Sequence, residues 1–182
     1  MTAFVHGTLR CIQDSKGADY LAVVLHGNCT QLHAGWAHLQ KLGLGDAIAA
    51  RHARDGIENA HVTIMNVAEW GGVAKYQPDV FVRAQSAVGR AVAMRMHGLG
   101  KATSKNTLNT AWYGIVSCDV MADFRSELGM RLKDFHVTQA FTPKDVFDAN
   151  KGMGTLFVTL DQMLNPTSPA GHMDYSSGPS PC

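Results

Sequence analysis

Two histidines and two threonines, at matched spacing, carry the chemistry of this sequence. The tripeptide His61-Val62-Thr63 recurs 75 residues later as His136-Val137-Thr138, each copy inside an apolar run of strand type. In a β-strand, residues i and i+2 leave the same face, about 6.6 Å apart along it. Each copy therefore turns one imidazole and one hydroxyl toward the same space, while its valine enters the opposite layer. Imidazole exchanges a proton near neutral pH. A hydroxyl beside it can hold a phosphate oxygen while that proton moves. Cleaving a phosphodiester asks for one group that activates water or a ribose hydroxyl and one that protonates the departing oxygen, and two imidazoles supply both. The hydroxyls would donate to oxygens that gain charge in the transition state. No metal and no cofactor is called for. For one such histidine, a strand residue satisfied by neighbouring carbonyls is the commoner role; two in the same setting favour one shared site.

The elements that must position these groups are legible in outline. Residues 3–12 read as a strand with little pattern, and 20–25 (Tyr-Leu-Ala-Val-Val-Leu) as a strand buried on both faces. Asn28 or Thr30 can cap a helix to about Leu42, with Leu32, Trp36 and Leu39 on one stripe and Gly43 at its end. Residues 45–57 read as a short helix or loop. The first motif strand spans 59–67 and is broken at Trp70-Gly71-Gly72. Pro78 opens another helix, 90–97 reads as a strand, and Gly98-Leu99-Gly100 opens a polar loop through Asn109. A strand over 110–117, a helix over 119–128 and the second motif strand over 134–141 follow. Residues 142–145 read as a capped helical turn and 155–160 as a further strand.

Both halves thus run strand, amphipathic helix, motif strand. The expected architecture is α/β (α+β): duplicated strand–helix–strand lobes with pseudo-two-fold symmetry, and two antiparallel or mixed sheets around a central cleft. One bilobal domain would span 1–164, with lobes of about 1–75 and 76–164. Residues 165–182, rich in Pro, Ser and Gly, read as a disordered tail.

Paired His-x-Thr motifs on strands of a duplicated unit resemble the 2H phosphoesterase superfamily, which includes RNA 2′-5′ ligases, cyclic phosphodiesterases and RNA-repair-associated enzymes. The resemblance spans roughly residues 20–147. Arg95-Met-His-Gly-Leu-Gly100 is similar to that family's strand and glycine turn, and Phe135-His-Val-Thr-Gln-Ala-Phe-Thr-Pro-Lys-Asp-Val146 looks most like the RNA-repair-associated branch. The resemblance implies His61 and His136 as catalytic and Thr63 and Thr138 as phosphate-binding. It also implies a nucleotide, cyclic nucleotide or RNA end as substrate, with a 2′,3′-cyclic phosphate leading. A hydrolase of cyclic nucleotide or oligonucleotide signals is the second reading. A non-catalytic module that binds a phosphorylated ligand is the third, disfavoured because arginine serves phosphate binding better than histidine.

Composition narrows the partners. A formal net charge of +1 gives no electrostatic reason to bind long duplex nucleic acid. No run approaches the ~20 apolar residues of a membrane helix, and the N-terminus lacks the pattern of a signal peptide. Four cysteines without a CxxC pair fit a reduced, cytoplasmic setting. Weaker signals are Trp70, Tyr76, Trp112 and Tyr113, which could stack on a base, and Lys101, Ser104 and Lys105, which could close over a phosphate as a lid. Arg51, His52 and Arg54 are ambiguous. Cys29 and His33, one helical turn apart, resemble half of a zinc site, but no second ligand pair follows.

Overall fold

Alternation of apolar and polar residues dominates the strands, and the strands dominate the fold. The structure, a computed structural model, describes residues 3–165. In chain order the elements are β1 (Phe4–Gln13), β2 (Asp19–Leu25), α1 (Thr30–Lys41), α2 (Gly45–Asp55), β3 (His61–Met65), α3 (Val67–Tyr76), α4 (Pro78–Ser86), β4 (Ala91–Thr103), β5 (Thr110–Ser117), α5 (Asp119–Glu127), β6 (Phe135–Thr142), β7 (Leu156–Thr159) and α6 (Leu160–Leu164), with one 3-10 turn at Met153–Thr155. The expected tail lies, from residue 166 onward, outside the described residues. No helix among the described residues is long and apolar enough to cross a membrane.

The mixed α+β class holds, but the expectation of two sheets does not. The described strands form one seven-stranded antiparallel sheet in the order β1-β2-β3-β6-β5-β4-β7. The reason is β1, the strand with least pattern in the sequence. It pairs with β2 along Gly7–Gln13 and also with the first half of β4, Phe4 facing Arg95 and Thr8 facing Ala91. That second ladder joins the outer edges of the two halves, as β3 and β6 join the inner ones. The duplicated lobes expected around a cleft are therefore not separate bodies: strands of both halves belong to one closed sheet.

The core lies on the valine side of the motif strands. Leu21, Val23 and Leu25 of β2 alternate into it with Val62, Ile64 and Val137, and they meet Leu32 and Leu39 of α1, Trp70 and Val73 of α3, and Met121 and Phe124 of α5. Burying each large apolar side chain contributes about 1.5–3 kcal/mol. α2 packs on β6 and α3 on β2.

Two local expectations are corrected. Gly98-Leu99-Gly100 opens no loop: these residues continue β4 to Thr103, leaving only a turn over 104–109 before β5. The glycines serve close approach, since a Cβ on Gly98 would collide with the Val158 carbonyl of β7 and one on Gly100 with the Tyr113 ring. Trp70-Gly71-Gly72, expected to end the first motif strand, lies inside α3, and the strand already stops at Met65. Each helical glycine costs about 1 kcal/mol relative to alanine, and the capping box between Asn66 and Glu69 offsets part of that loss.

Candidate active site

The link between β3 and β6 decides where the motif side chains go. The two strands pair antiparallel through Val62 and Val137. That register sets His61 across from Thr138 and Thr63 across from His136. With both valines buried in the core, period-two alternation sends all four polar side chains to the opposite face. His61, Thr63, His136 and Thr138 accordingly line one cleft of about 770 Å³. Diagonal neighbours across such a pair stand roughly 7–8 Å apart, which leaves room for one phosphate between the two imidazoles.

His61 is held in one tautomer. Its Nδ1 lies 2.9 Å from the Asn59 carbonyl, which can only accept, so the neutral ring carries its proton there. Nε2 then presents a lone pair, and the Tyr20 hydroxyl donates to it at 3.0 Å. Burial pulls the His61 pKa below its ordinary value, with the Asn59 carbonyl and the Asp55 carboxylate opposing. Burial pushes the Tyr20 phenol up to about 12, helped by Asp55, so it stays a donor. Tyr20 reaches His61 because β2 and β3 pair Val24 with His61 and Ala22 with Thr63, which puts Tyr20 on the same face.

His136 sits deeper among charges. Its Nδ1 is buried with no partner among the described residues, and the Tyr113 ring meets it edge-on at 5.5 Å. Its pKa is pushed down to about 3, first by burial and then by the Lys151 ammonium, with Asp145 opposing. Asp145 organises this side of the cleft. Its Oδ2 accepts from Arg54 Nη1 at 2.9 Å and from the Thr138 hydroxyl at 3.3 Å. Its Oδ1 accepts from Lys151 Nζ at 2.9 Å and from the Val146 N–H at 2.8 Å. Burial would raise the Asp145 carboxyl, but Lys151 and Arg54 hold it below the usual range. Arg54 also forks onto Asp55 and stacks over Phe141 at 4.6 Å.

The two threonines therefore differ. Thr138 spends its proton on Asp145, whereas Thr63 has no hydrogen-bond partner among the described residues and can donate to a ligand. Three cations (Arg54, Lys133, Lys151) and four carboxylates (Asp14, Asp55, Asp134, Asp145) line the cleft, which counted formally leaves one negative charge in excess.

The weaker candidates lie elsewhere. Trp70 is a core residue packed on Phe81. Tyr76 is exposed at the end of α3 beneath Lys75. Lys101 lies on β4 over Trp112. Ser104 donates to Asp148 in the 104–109 turn, where Lys105 is exposed to solvent. None of these five lines the cleft, and the expected lid is a β-hairpin. Tyr113 stands behind His136, fully buried, donating to Thr155. Of the ambiguous trio only Arg54 reaches the cleft; Arg51 is buried over Trp36 and donates to the Gly56 carbonyl, and His52 meets Trp36 edge-on. Cys29 is buried at the start of α1 with its thiol toward Gln31. Among the described residues no three His, Cys, Asp or Glu side chains cluster as metal ligands.

The sequence reading passed over Tyr20, Asp145 and Lys151. The parity of Tyr20 with Val24 was a usable signal once β2 is paired with β3. Asp145 falls in the expected capped helical turn over 142–145, but the residues after β6 form bends instead, and its carboxylate turns inward to Lys151 and Arg54. Nothing in the sequence marks Lys151.

The family model described as Swiss Army Knife, 2H phosphoesterase domain matches residues 20–147, well over half of the chain. The chain belongs to the 2H phosphoesterase family, and within it the matching model is that of the Swiss Army Knife group. Membership implies phosphoesterase activity on a phosphoester substrate. No curated protein and no solved structure matches the chain.

Proposed function

We propose that this protein hydrolyses a phosphodiester at a nucleotide or RNA end, a 2′,3′-cyclic phosphate foremost, with His61 as base and His136 as acid. The observation that carries this reading is the antiparallel Val62–Val137 link, which turns both His-x-Thr pairs into one cleft. The fixed tautomer of His61 favours it as the base, because Nε2 is its unprotonated nitrogen; the Tyr20 hydroxyl, which donates to that lone pair in the free protein, has to turn away for water to take its place. His61 takes a proton from water, the water oxygen adds to phosphorus, and the bond to one ribose oxygen breaks. His136 gives its proton to that oxygen, leaving a phosphomonoester. Thr63 donates to a non-bridging oxygen as charge accumulates there. A cleft of about 770 Å³ is of a size for a nucleotide or a dinucleotide.

The test is a panel of substrates with purified protein in the presence and absence of chelator: nucleoside 2′,3′-cyclic phosphates, 3′,5′-cyclic nucleotides, cyclic dinucleotides and RNA ending in a cyclic phosphate. Chelator-resistant opening of the 2′,3′-cyclic phosphates is the expected result. Turnover confined to the 3′,5′ or dinucleotide members would move the assignment to a signal hydrolase. Tight binding without turnover of any member would make the cleft a binding module. Activity lost to chelator and restored by zinc would overturn the two-histidine mechanism.

A further inference from the structure

Lys151 is a cation that the motif pair does not account for. It is 6% exposed, yet it lines the cleft beside His136. Its ammonium stands 5.5 Å from the centre of the Tyr113 ring and 5.7 Å from that of Phe147. One of its three N–H donors goes to Asp145 Oδ1 at 2.9 Å. A buried ion pair of this kind is weak evidence for stability, because desolvation offsets most of the attraction. The partner's own bonds make the pair exchangeable. Asp145 accepts from Arg54, Thr138 and the Val146 N–H as well, so it keeps a cation and two neutral donors when Lys151 leaves it.

We propose that Lys151 binds the substrate's phosphoryl oxygen, passing Asp145 to Arg54, and that this exchange lets His136 take up the proton it later donates. This rests on the phosphodiester reading of the cleft. The charged and titratable groups facing His136 are Lys151 and Asp145 from the segment after β6, Lys133 just before β6, His61 from β3 and Tyr113 from β5. In the free protein burial first, and then Lys151 and Lys133, keep the imidazole neutral. A bound monoanion beside Lys151 brings one negative charge, which offsets the field of that ammonium at His136 and so favours the imidazolium. The acid is therefore charged only when there is a leaving group to protonate, and Lys151 is the residue that couples the two events.

The experiment follows the His136 ring by NMR titration, with and without inorganic phosphate, in the wild type, Lys151→Gln and Lys151→Arg. It is paired with kcat and KM on a nucleoside 2′,3′-cyclic phosphate. In the wild type, phosphate should raise the His136 midpoint from about 3 toward neutrality, by about three pH units. Lys151→Gln should start from a higher midpoint, lose most of that response and bind phosphate about tenfold or more weakly, with KM rising by a similar factor. Lys151→Arg should restore binding and response. Unchanged phosphate affinity and an unchanged response in Lys151→Gln would overturn the proposal and leave Lys151 a structural pillar. If Lys151→Gln does not fold, Asp145→Asn serves instead: with Lys151 released from its carboxylate, phosphate should bind more tightly, and weaker or unaltered binding would overturn the proposal. The titration with inorganic phosphate needs no turnover, so a failure of the assigned activity is distinguishable from a failure of the coupling.

Discussion

Replacing Tyr20 by phenylalanine removes one oxygen and tests how His61 is poised. The hydroxyl donates to His61 Nε2 at 3.0 Å in a partly buried position. That bond uses the Nε2 lone pair and so stabilises the neutral ring; to serve the imidazolium the hydroxyl would have to turn over and accept from Nε2–H. A hydrogen bond of this type is worth about 0.5–1.5 kcal/mol net, and one pKa unit corresponds to about 1.36 kcal/mol. Tyr20→Phe should therefore raise the His61 pKa by up to about one unit. Burial depresses the His61 pKa whether or not the hydroxyl is present; losing a donor that favours the neutral ring moves the pKa upward from there. A base must be neutral, so the acidic limb of the kcat/KM profile assigned to His61 should move to higher pH by the same amount. The fold should tolerate the change, with Tm lower by about 2–4 °C for each kcal/mol lost in a chain of this size. Two readings are needed, the NMR titration of the His61 ring and the pH dependence of kcat/KM on a 2′,3′-cyclic phosphate. A His61 midpoint that stays put or moves down would refute the assigned tautomer and, with it, His61 as the base.

Three further outcomes follow from the same geometry. Thr63→Val should cost about 10²-fold in kcat/KM, as loss of an oxyanion donor does. Thr138→Val should cost less, because its proton is already given to Asp145; equal losses in steady-state kinetics would contradict the asymmetry. Arg125→Met should destabilise the protein by about 3–5 kcal/mol in urea denaturation, although Arg125 does not itself line the cleft. Its guanidinium, 1% exposed, ties Glu69 of α3 at 2.8 Å to the carbonyls of Ile64 and Arg131, and removing it takes that donor from both carbonyls and leaves the Glu69 carboxylate with the Asn66 N–H alone. Stability should fall as pH drops from about 6.5 toward 3, because the unfolded chain protonates His136 while the folded chain resists it until about 3. The slope approaches about 1.4 kcal/mol per pH unit from this group, lessened by the solvent that still reaches the ring. His136→Asn should flatten the dependence, as read from Tm against pH.

The reading from sequence succeeded where a period was available and failed where contacts cross the sheet. The i, i+2 spacing of His61-Val62-Thr63 and His136-Val137-Thr138 is a strand property, so both the shared face and the buried valines could be read directly. The pairing partners of β1 could not. Residues 4–13 alternate weakly because β1 joins two neighbours along different stretches, and no local pattern announces a strand that closes a sheet. Glycine misled twice. At Gly98 and Gly100 it answers the close approach of β7 and Tyr113, which are distant in sequence, and at Gly71 and Gly72 it lies in a helix set by the Asn66–Glu69 cap. Lys151 was invisible for a related reason. Its burial and its partner Asp145 depend on how the chain folds back after β6, and a lone lysine in a polar segment reads as solvent-exposed.

The central claim is that His61 and His136 act on one phosphodiester from opposite sides of a single cleft. Its most direct measurement is turnover of a nucleoside 2′,3′-cyclic phosphate by the wild type, His61→Ala, His136→Ala and the double variant, in chelator, with folding checked by thermal melting. Each single variant should lose most of the turnover, and the double variant should lose little more, since the two residues serve one step and their effects do not add. Losses that multiply in the double variant, or a single variant that retains wild-type turnover, would contradict a shared active site.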